Sequence, residues 1–497
     1  MKKLYTLLVI ALVGFVGKAQ IVNIPDANFK AKLLSASTTN QVASTQTPDS
    51  NGYVTSYFKI DTNNDGEIQV SEALAIKYLK VSSSSIADLT GIESFTNLSV
   101  LSCNNNQLTN LNLSSLINLI YLDCSYNQLS SLNVNNLINL INLKCGNNQL
   151  SILDVSSLIN LIYLDCSTNQ LPSLDVNGLI NIVNVYCYNN QLTNLNVNGL
   201  LNLKLFWCFN NQLTSLNLMN LPNLDELTCS NNQLSTLDVN SFVTLTNLNC
   251  SDNQLPSLNV SNLVNLGGLF CYNNQLPSLS VNGLVKLIRL DCSNNQIPSL
   301  NVSDSILLLN LFCSNNQISS LDVSTLTNLV SFKCDGNLLT TIDASNLSQL
   351  YAFNCNSNPF LTSFSIKNGS YENYLWFWSC PNINYICADA NKITKVQNLI
   401  TQYGYTNCNV TSSCQLGVEE FTNDVVLYPN PTKNSLTITT KQDVLMSAIS
   451  IYNILGQLVQ VSTNPNEIID VSGLQSGSYF IRIVSDKGNA TGKFIKE

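Results

Sequence analysis

Thirteen cysteines recur at a constant interval through the middle of this 497-residue chain. Each lies 21 residues after the one before it, from Cys103 to Cys355. Around each cysteine the chain repeats one pattern, of which Leu122-x-Cys124-x-x-Asn127 is an example. A fixed period of this length indicates a solenoid, in which each repeat forms one coil and buries its apolar face only by stacking on its neighbours. We therefore expect a mainly β fold built from short parallel strands.

The repeat resembles the leucine-rich repeat, with cysteine in the third leucine position of the pattern L-x-x-L-x-L-x-x-N-x-L. At 21 residues it is similar to the short bacterial class of that family. The resemblance covers about residues 79–360. It implies a solenoid of about 13–14 coils, capped at both ends and followed by a small β-sandwich. The expected domains are an N-terminal cap at 20–80, the solenoid at 81–360 and a cysteine-containing C-terminal cap at 361–416.

The repeated asparagines and cysteines are expected to be structural. An asparagine stands three residues after every ladder cysteine, where its side chain can bond backbone groups left unpaired at the turn. In-register cysteine side chains point the same way and hold their Cβ atoms too far apart for a disulfide, so buried free thiols are expected. Disulfides between neighbouring coils are the alternative. The better disulfide candidates are outside the period, with three pairings open: Cys380, Cys387, Cys408 and Cys414.

The first nineteen residues have the features of a secretory signal peptide. A basic start at residues 1–3 precedes an apolar stretch at 4–16, and small residues follow up to Ala19. The stretch is shorter than the ~20 residues that span a bilayer, and no other apolar stretch reaches that length. We expect an exported protein without a transmembrane segment in the mature chain.

The chain changes character after a polar linker at 417–424. Short alternating strands separated by turn residues begin at Val425 and predict a small β-sandwich. Three motifs carry a resemblance to a type IX secretion C-terminal sorting domain: Tyr428-Pro429-Asn430-Pro431, Ile451-Tyr452-Asn453-Ile454-Leu455-Gly456 and Gly477-Ser478-Tyr479-Phe480-Ile481. The resemblance implies that residues 425–497 engage the type IX secretion machinery. It also implies outer-membrane export and a secreted or cell-surface location.

One metal-binding motif lies in the N-terminal cap. Residues 61–72 fit the pattern D-x-[DN]-x-[DN]-G-x5-E and resemble an EF-hand loop. Ca²⁺ collects six to eight oxygens from such a loop, and a structural Ca²⁺ ion is expected here. The preceding residues 52–60 are rich in β-formers, so the loop is expected to be half of an EF-hand, and an Asx-rich turn that caps the next helix is the alternative. The predicted metal ligands are Asp61, Asn63, Asp65, Glu67 and Glu72.

Aromatic residues cluster at the outward positions of a few neighbouring repeats. In the leucine-rich geometry these positions line the concave face, and clustered outward aromatics are typical of binding surfaces. The alternative is that aromatics simply suit strands and stack along them. The predicted ligand-binding residues are Tyr163, Tyr186, Tyr188, Trp207 and Phe209, with Phe270 and Tyr272 as a second pair three coils further on, about 14 Å away.

Composition excludes several classes of function. The chain has no histidine, which removes Ser/His/Asp and Cys/His catalysis and histidine-ligated zinc. Its net charge is −9 and it contains no run of basic residues, so nucleic acid is not an expected partner. The leading hypothesis is a non-catalytic exported protein that binds a protein or glycan ligand. The alternatives are a glycan-active enzyme on a solenoid scaffold, with Asp123 and Asp165 as its carboxylates, and a passive adhesin or spacer.

Overall fold

The computed structural model describes residues 20–414, 425–440, 445–453, 457–463, 467–485 and 488–497. The predicted signal peptide and the linker at 417–424 lie outside the described residues. The chain divides into two compact units, one formed by Met1–Thr362 with Asn368–Ile383 and the other by Ser363–Lys367 with Asn384–Glu497.

The N-terminal cap contains two short helices and one short strand: α1 (Ala27–Leu34), β1 (Ala43–Ser44) and α2 (Val70–Ala75). Asp26 caps α1 by accepting a hydrogen bond from the Phe29 N–H, and Phe29 is fully buried. A reciprocal pair, Gln69 and Glu72, caps α2. The described residues 52–60 that precede the EF-hand-like loop form no helix.

One sixteen-stranded sheet runs through the first unit. Its first strand, β1, pairs antiparallel with β2, and every later pair is parallel. The strands after β1 are β2 (Tyr78–Lys80), β3 (Val100–Ser102), β4 (Tyr121–Asp123), β5 (Asn142–Lys144), β6 (Tyr163–Asp165), β7 (Asn184–Tyr186), β8 (Leu205–Trp207), β9 (Glu226–Thr228), β10 (Asn247–Asn249), β11 (Gly268–Phe270), β12 (Arg289–Asp291), β13 (Asn310–Phe312), β14 (Ser331–Lys333), β16 (Ala352–Asn354) and β18 (Tyr374–Trp376), with β15 (Thr341–Asp343) outside this sheet.

Each coil buries the same positions. From β2 to β18 the middle residue of each three-residue strand is buried, and its two neighbours point to the other side of the sheet, where most are half-buried or exposed. All thirteen ladder cysteines are buried free thiols, which confirms the expectation from the sequence. Desolvation by burial raises the thiol pKa throughout the ladder, to about 12 for Cys250 and for Cys292. These thiols therefore behave as small hydrophobic side chains.

The repeated asparagine connects successive coils through its side-chain amide. Asn232 Oδ1 accepts a hydrogen bond from the Leu213 N–H of the coil before, at 3.0 Å. Its Nδ2 donates to the Cys208 and Cys229 carbonyls, each at 3.1 Å. The same bonds recur from Asn127 onward through the solenoid. The residue just before each ladder asparagine has φ near +50°, a conformation that asparagine tolerates better than most residues.

The solenoid is longer than the 21-residue period indicates, although its mainly β, leucine-rich-repeat architecture is confirmed. Strand β2 pairs with β3 at an offset of 22 residues (Tyr78 with Val100), and β16 pairs with β18 at the same offset (Ala352 with Tyr374). The extra residue at each end takes these coils out of the 21-residue period, so the count of about 13–14 coils from the sequence did not include them. In the last coil, Cys380 takes the asparagine position and its Sγ lies 3.4 Å from the Cys355 carbonyl oxygen. Its candidacy for a disulfide was therefore wrong.

The second unit begins with a small parallel sheet. It contains β17 (Ser363–Ile366), β19 (Tyr385–Ala388) and β20 (Asn409–Thr411), with helix α3 (Ile393–Tyr403) between the last two strands. A disulfide joins Cys387 to Cys414, whose Cα atoms are 5.4 Å apart. This bond belongs to one of the three pairings, but the second disulfide of that pairing is not formed, because Cys408 is a free thiol. The prediction of a disulfide at Cys408 is therefore wrong.

The C-terminal domain has two antiparallel sheets that share one core, as predicted for a β-sandwich. The strands are β21 (Val425–Tyr428), β22 (Ser435–Thr440), β23 (Met446–Asn453), β24 (Leu458–Thr463), β25 (Ile468–Asp470), β26 (Gly477–Ser485) and β27 (Gly488–Lys496). The sheet orders are β21-β22-β25 and β24-β23-β26-β27. Buried side chains from both sheets, including Ile438 and Ile481, form the core. Asn430 of the first sequence motif bonds the backbone of Lys493 and Ile495 in β27.

Candidate functional site

Five aromatic side chains form a continuous series of ring contacts on the outward face of strands β6–β8 and the residues that follow. The ring centroids of Tyr163 and Tyr186 are 5.4 Å apart, and those of Tyr186 and Trp207 are 5.1 Å apart in an edge-to-face arrangement. Tyr188 lies 6.4 Å from Trp207 and stacks on Phe209 at 4.4 Å. Tyr121 is connected to this series through Lys144, which contacts the rings of both Tyr121 and Tyr163. We call these six residues the aromatic row: Tyr121, Tyr163, Tyr186, Tyr188, Trp207 and Phe209.

The row forms because parallel coils place equivalent positions side by side. Tyr186 and Trp207 are register partners in β7 and β8 and flank buried residues, so both rings are forced outward. All six side chains are half-buried, with part of each ring open to solvent. The Trp207 Nε1 atom is buried, and among the described residues it has no hydrogen-bond partner. An unsatisfied buried donor lowers stability, so the position of this indole is not explained by stability alone.

Lys144 extends the row toward the N-terminal cap. Its ammonium nitrogen lies 5.5 Å from the Tyr121 ring centroid and 5.3 Å from that of Tyr163, within the range of cation–π attraction. The two tyrosines are two coils apart, and Lys144 occupies the coil between them. Sequence reasoning missed Tyr121. Its strand position, three residues before the ladder cysteine, is the same as that of Tyr163 and was the available signal.

The structure places Phe270 and Tyr272 away from the aromatic row. Phe270 pairs in register with Asn249 on one side and Asp291 on the other, so no aromatic side chain adjoins it at its own strand position. Three coils separate it from Trp207, a distance of about 14 Å. The pair Phe270 and Tyr272 therefore belongs to a second outward group with Asp291, whose pKa is raised mainly by desolvation on burial.

An open cleft adjoins the cap end of the aromatic row. Its volume is about 680 Å³, and it lies between the cap loop at Asn51–Tyr53 and the outward face of β2–β6. Gly52 permits the approach of this loop, since it has φ +84° and a Cβ there would lie 3.3 Å from Val100 and 3.4 Å from Tyr121. Four tyrosines, two lysines and an aspartate are among the lining residues: Tyr53, Tyr78, Lys80, Tyr121, Asp123, Lys144 and Tyr163. Of these, Tyr163 is a predicted ligand-binding residue and Asp123 is a carboxylate of the alternative, enzymatic hypothesis.

The two carboxylates weighed for catalysis are held by serines of their own coils. Asp123 Oδ1 accepts hydrogen bonds from the Ser125 N–H and hydroxyl, and Asp165 Oδ1 does the same with Ser167. The side chain between them belongs to Lys144, whose ammonium group lies over two tyrosine rings. This arrangement orients the carboxylates as hydrogen-bond acceptors at the surface.

The EF-hand-like loop has the oxygen donors that Ca²⁺ uses, but many of them bond the loop itself. Asp61 accepts hydrogen bonds from the backbone of Asp65 and Gly66, and Glu72 accepts from Thr62. Glu67 forms an ion pair with Lys30 at 2.6 Å, although its expected Ca²⁺ ligand was the backbone carbonyl. An oxygen that accepts one N–H keeps a second lone pair for a cation. The donor types and spacing thus fit Ca²⁺, whereas no three acidic or cysteine side chains in the described residues converge as a metal-holding group.

The parallel one-strand-per-coil sheet and the inward leucines define the class of the first unit as a leucine-rich-repeat solenoid. Residues 426–497 match the model of the family described as the secretion system C-terminal sorting domain. The chain therefore combines a leucine-rich-repeat solenoid with a C-terminal sorting domain for type IX secretion, which supports a secreted or cell-surface location.

Solved structures of bacterial leucine-rich-repeat proteins are similar in fold. The functional domain of InlJ from Listeria monocytogenes, reported to include a cysteine ladder, is 24% identical, with a TM-score of 0.63 over 96% of this chain and 98% of that chain. An internalin, inlF, from the same organism is 21% identical, with a TM-score of 0.49 over 75% and 98%. YopM from Yersinia pestis is 28% identical, with a TM-score of 0.49 over 57% and 78%.

No curated protein matches the chain in sequence. Among the described helices, none is long and apolar enough to cross a membrane.

Proposed function

We propose that this protein is a non-catalytic binding protein that, outside the cell or at its surface, recognises a protein or glycan ligand through the aromatic row. The observation that carries the proposal is the unbroken ring contact from Tyr163 to Phe209 on the outward sheet face. Rings fixed by their neighbours present apolar area at little entropic cost, and such areas dominate binding energy. The unsatisfied Trp207 Nε1 supports a role beyond stability.

A non-catalytic role agrees with the chemistry of the outward face. The chain has no histidine, and the carboxylates of Asp123 and Asp165 already accept hydrogen bonds from serines. A passive adhesin or spacer would need no clustered aromatic residues on one face, so this alternative leaves the row without a role. The sorting domain supplies export and does not itself determine the ligand.

The test is an array of glycans and surface proteins probed with the full chain and with a variant carrying Tyr186→Ala, Trp207→Ala and Phe209→Ala together. A matched control is Phe312→Ala, which removes an aromatic from the same strand position outside the row. We expect wild type and control to capture the same ligand and the triple variant to lose it. Equal capture by the triple variant would move the site elsewhere. Turnover of a captured glycan would refute the non-catalytic role.

We also propose that a structural Ca²⁺ ion is held in the N-terminal cap by oxygens of Asp61, Asn63, Asp65, Glu67 and Glu72. The spacing of these residues and the sharp turn at Gly66, with φ +80°, support the proposal. A ligand that binds only the folded state at 100 times its Kd stabilises by about 2.7 kcal/mol. Thermal unfolding should therefore shift upward with Ca²⁺ relative to chelator, and the shift should disappear in Asp65→Ala. An equal melting temperature with and without Ca²⁺ would contradict it.

A further inference from the structure

The side chains that line the cleft beside the cap loop are more polar than those of the aromatic row. Its lining contains tyrosines, lysines, asparagines and serines, and Val100 is its one aliphatic lining residue. Val100 is itself almost fully buried, so it offers little apolar surface. An apolar peptide side chain would need aliphatic walls to bury its surface. Tyrosine faces mixed with amide and hydroxyl groups instead suit a ligand that carries both C–H faces and many hydroxyls.

The cleft is also locally positive within an acidic protein. Two lysines, Lys80 and Lys144, and one carboxylate, Asp123, leave a charge of +1 among the lining residues, against −9 for the whole chain. Three coils separate the lysines, a distance of about 14 Å along the sheet. Lys144 is held in place by two tyrosine rings, so its ammonium group is oriented before any ligand arrives. Two separated positive charges favour a ligand with more than one acid group along its length.

The cleft continues into the aromatic row. The loop at Asn51–Tyr53 forms one wall of the cleft, with Gly52 packed against Val100 and Tyr121 of β3 and β4, and the cleft reaches the aromatic row at Tyr163. From Tyr121 the row continues four coils, to Trp207, which is about 19 Å. A linear ligand that occupies the cleft could therefore extend onto the rings.

We propose that this cleft binds residues of an acidic oligosaccharide, one whose pyranose units carry carboxylates, and that Lys80 and Lys144 recognise those carboxylates. The inference rests on the proposed binding function and names the ligand class and the subsite. Asp123 and Asn142 supply an acceptor and an amide for the hydroxyl groups. Tyr121 and Tyr163 supply the faces on which the sugar rings stack.

The test measures binding of the full chain to tetragalacturonate, to its carboxyl-reduced neutral counterpart and to sialyllactose. We expect tetragalacturonate to bind about tenfold or more tightly than the neutral tetramer, the equivalent of 1.4 kcal/mol. Lys80→Gln and Lys144→Gln should each weaken binding, and added salt should reduce the difference. Lys286→Gln, which alters an exposed lysine bonded to Asn265 outside the cleft, is the matched control and should bind as wild type. Tighter binding of sialyllactose than of tetragalacturonate would support the acidic subsite and would identify a terminal sialic acid as the sugar that supplies the carboxylate.

Two outcomes separate this inference from the proposed function. If acidic and neutral tetramers bind equally, or neither binds, while the array ligand is still lost with the aromatic triple variant, the cleft inference is wrong and the binding function stands. If the aromatic triple variant captures every ligand as wild type does, the proposed function itself fails. Unchanged binding of tetragalacturonate by both lysine variants would also overturn the acidic subsite.

Discussion

Replacing one ladder asparagine should destabilise the solenoid far more than replacing its sequence neighbour. In Asn232→Ala, the buried Leu213 N–H loses the acceptor that the structure gives it, which costs about 1–3 kcal/mol. The Cys208 and Cys229 carbonyls each lose one bond but keep another, from Asn211 and Asn253 respectively. Each lost bond costs about 0.5–1.5 kcal/mol. The expected decrease in the free energy of unfolding is therefore about 4 kcal/mol, within roughly 2–6 kcal/mol.

The control is Asn231→Gly, one residue earlier. Asn231 is exposed and has φ +50°, and its side chain bonds that of Asn210 at the surface, so glycine, which keeps the backbone bonds, should change stability by less than about 1 kcal/mol. Urea unfolding followed by circular dichroism measures both variants, and amide hydrogen exchange at Leu213 reports the local effect. If Asn232→Ala loses less than about 1 kcal/mol, or no more than the control, the ladder asparagines are not the stabilising element that their hydrogen bonds indicate.

Three further perturbations test other parts of the structure. Burial raises the pKa of the ladder thiols above that of unfolded cysteine, to about 12 for Cys250 and Cys292. The stability that depends on neutral thiols is therefore complete below about pH 8.5 and is lost as the pH rises toward the folded pKa. Each thiol can lower the free energy of unfolding by up to about 1.4 kcal/mol per pH unit in that range. Thiolate absorbance and loss of circular dichroism should therefore appear together in an alkaline titration, and gradual thiolate formation near pH 8.5 in an intact fold would contradict this. Trp207→Phe removes the Nε1 donor that has no hydrogen-bond partner, so thermal melts should show unchanged stability or a gain of up to about 1 kcal/mol. A large loss of stability would mean that the indole N–H does form a hydrogen bond in solution. Cys387→Ser should destabilise the sheet β17-β19-β20 by about 2–4 kcal/mol and speed hydrogen exchange there, with Cys408→Ser as the control that should not.

Residues at the ends of the solenoid show where pattern reasoning failed. The 21-residue spacing of the cysteines predicts the parallel stack, and the structure follows it from β3 to β16. The 21-residue spacing does not reveal the coils that contain Tyr78 and Tyr374. One inserted residue shifts each of these coils out of the period, although its strand still pairs with the next one in the sheet. Cys380 was misjudged for the same reason, since in the shifted coil it occupies the asparagine position and bonds the Cys355 carbonyl.

The sequence by itself determined the repeat, its inward residues and the sorting domain, because each depends on local periodicity or on a contiguous motif. Tyr186, Tyr188, Trp207 and Phe209 were likewise placed side by side by counting residues, since equivalent positions in adjacent coils must be neighbours. The same counting placed Phe270 and Tyr272 three coils away from them. Only the tertiary structure decided which cysteines pair. It alone brought the cap loop at Gly52 over Tyr121 to form the cleft. These features bring together segments that do not occupy equivalent positions of the repeat, so their contacts depend on how the chain packs in three dimensions.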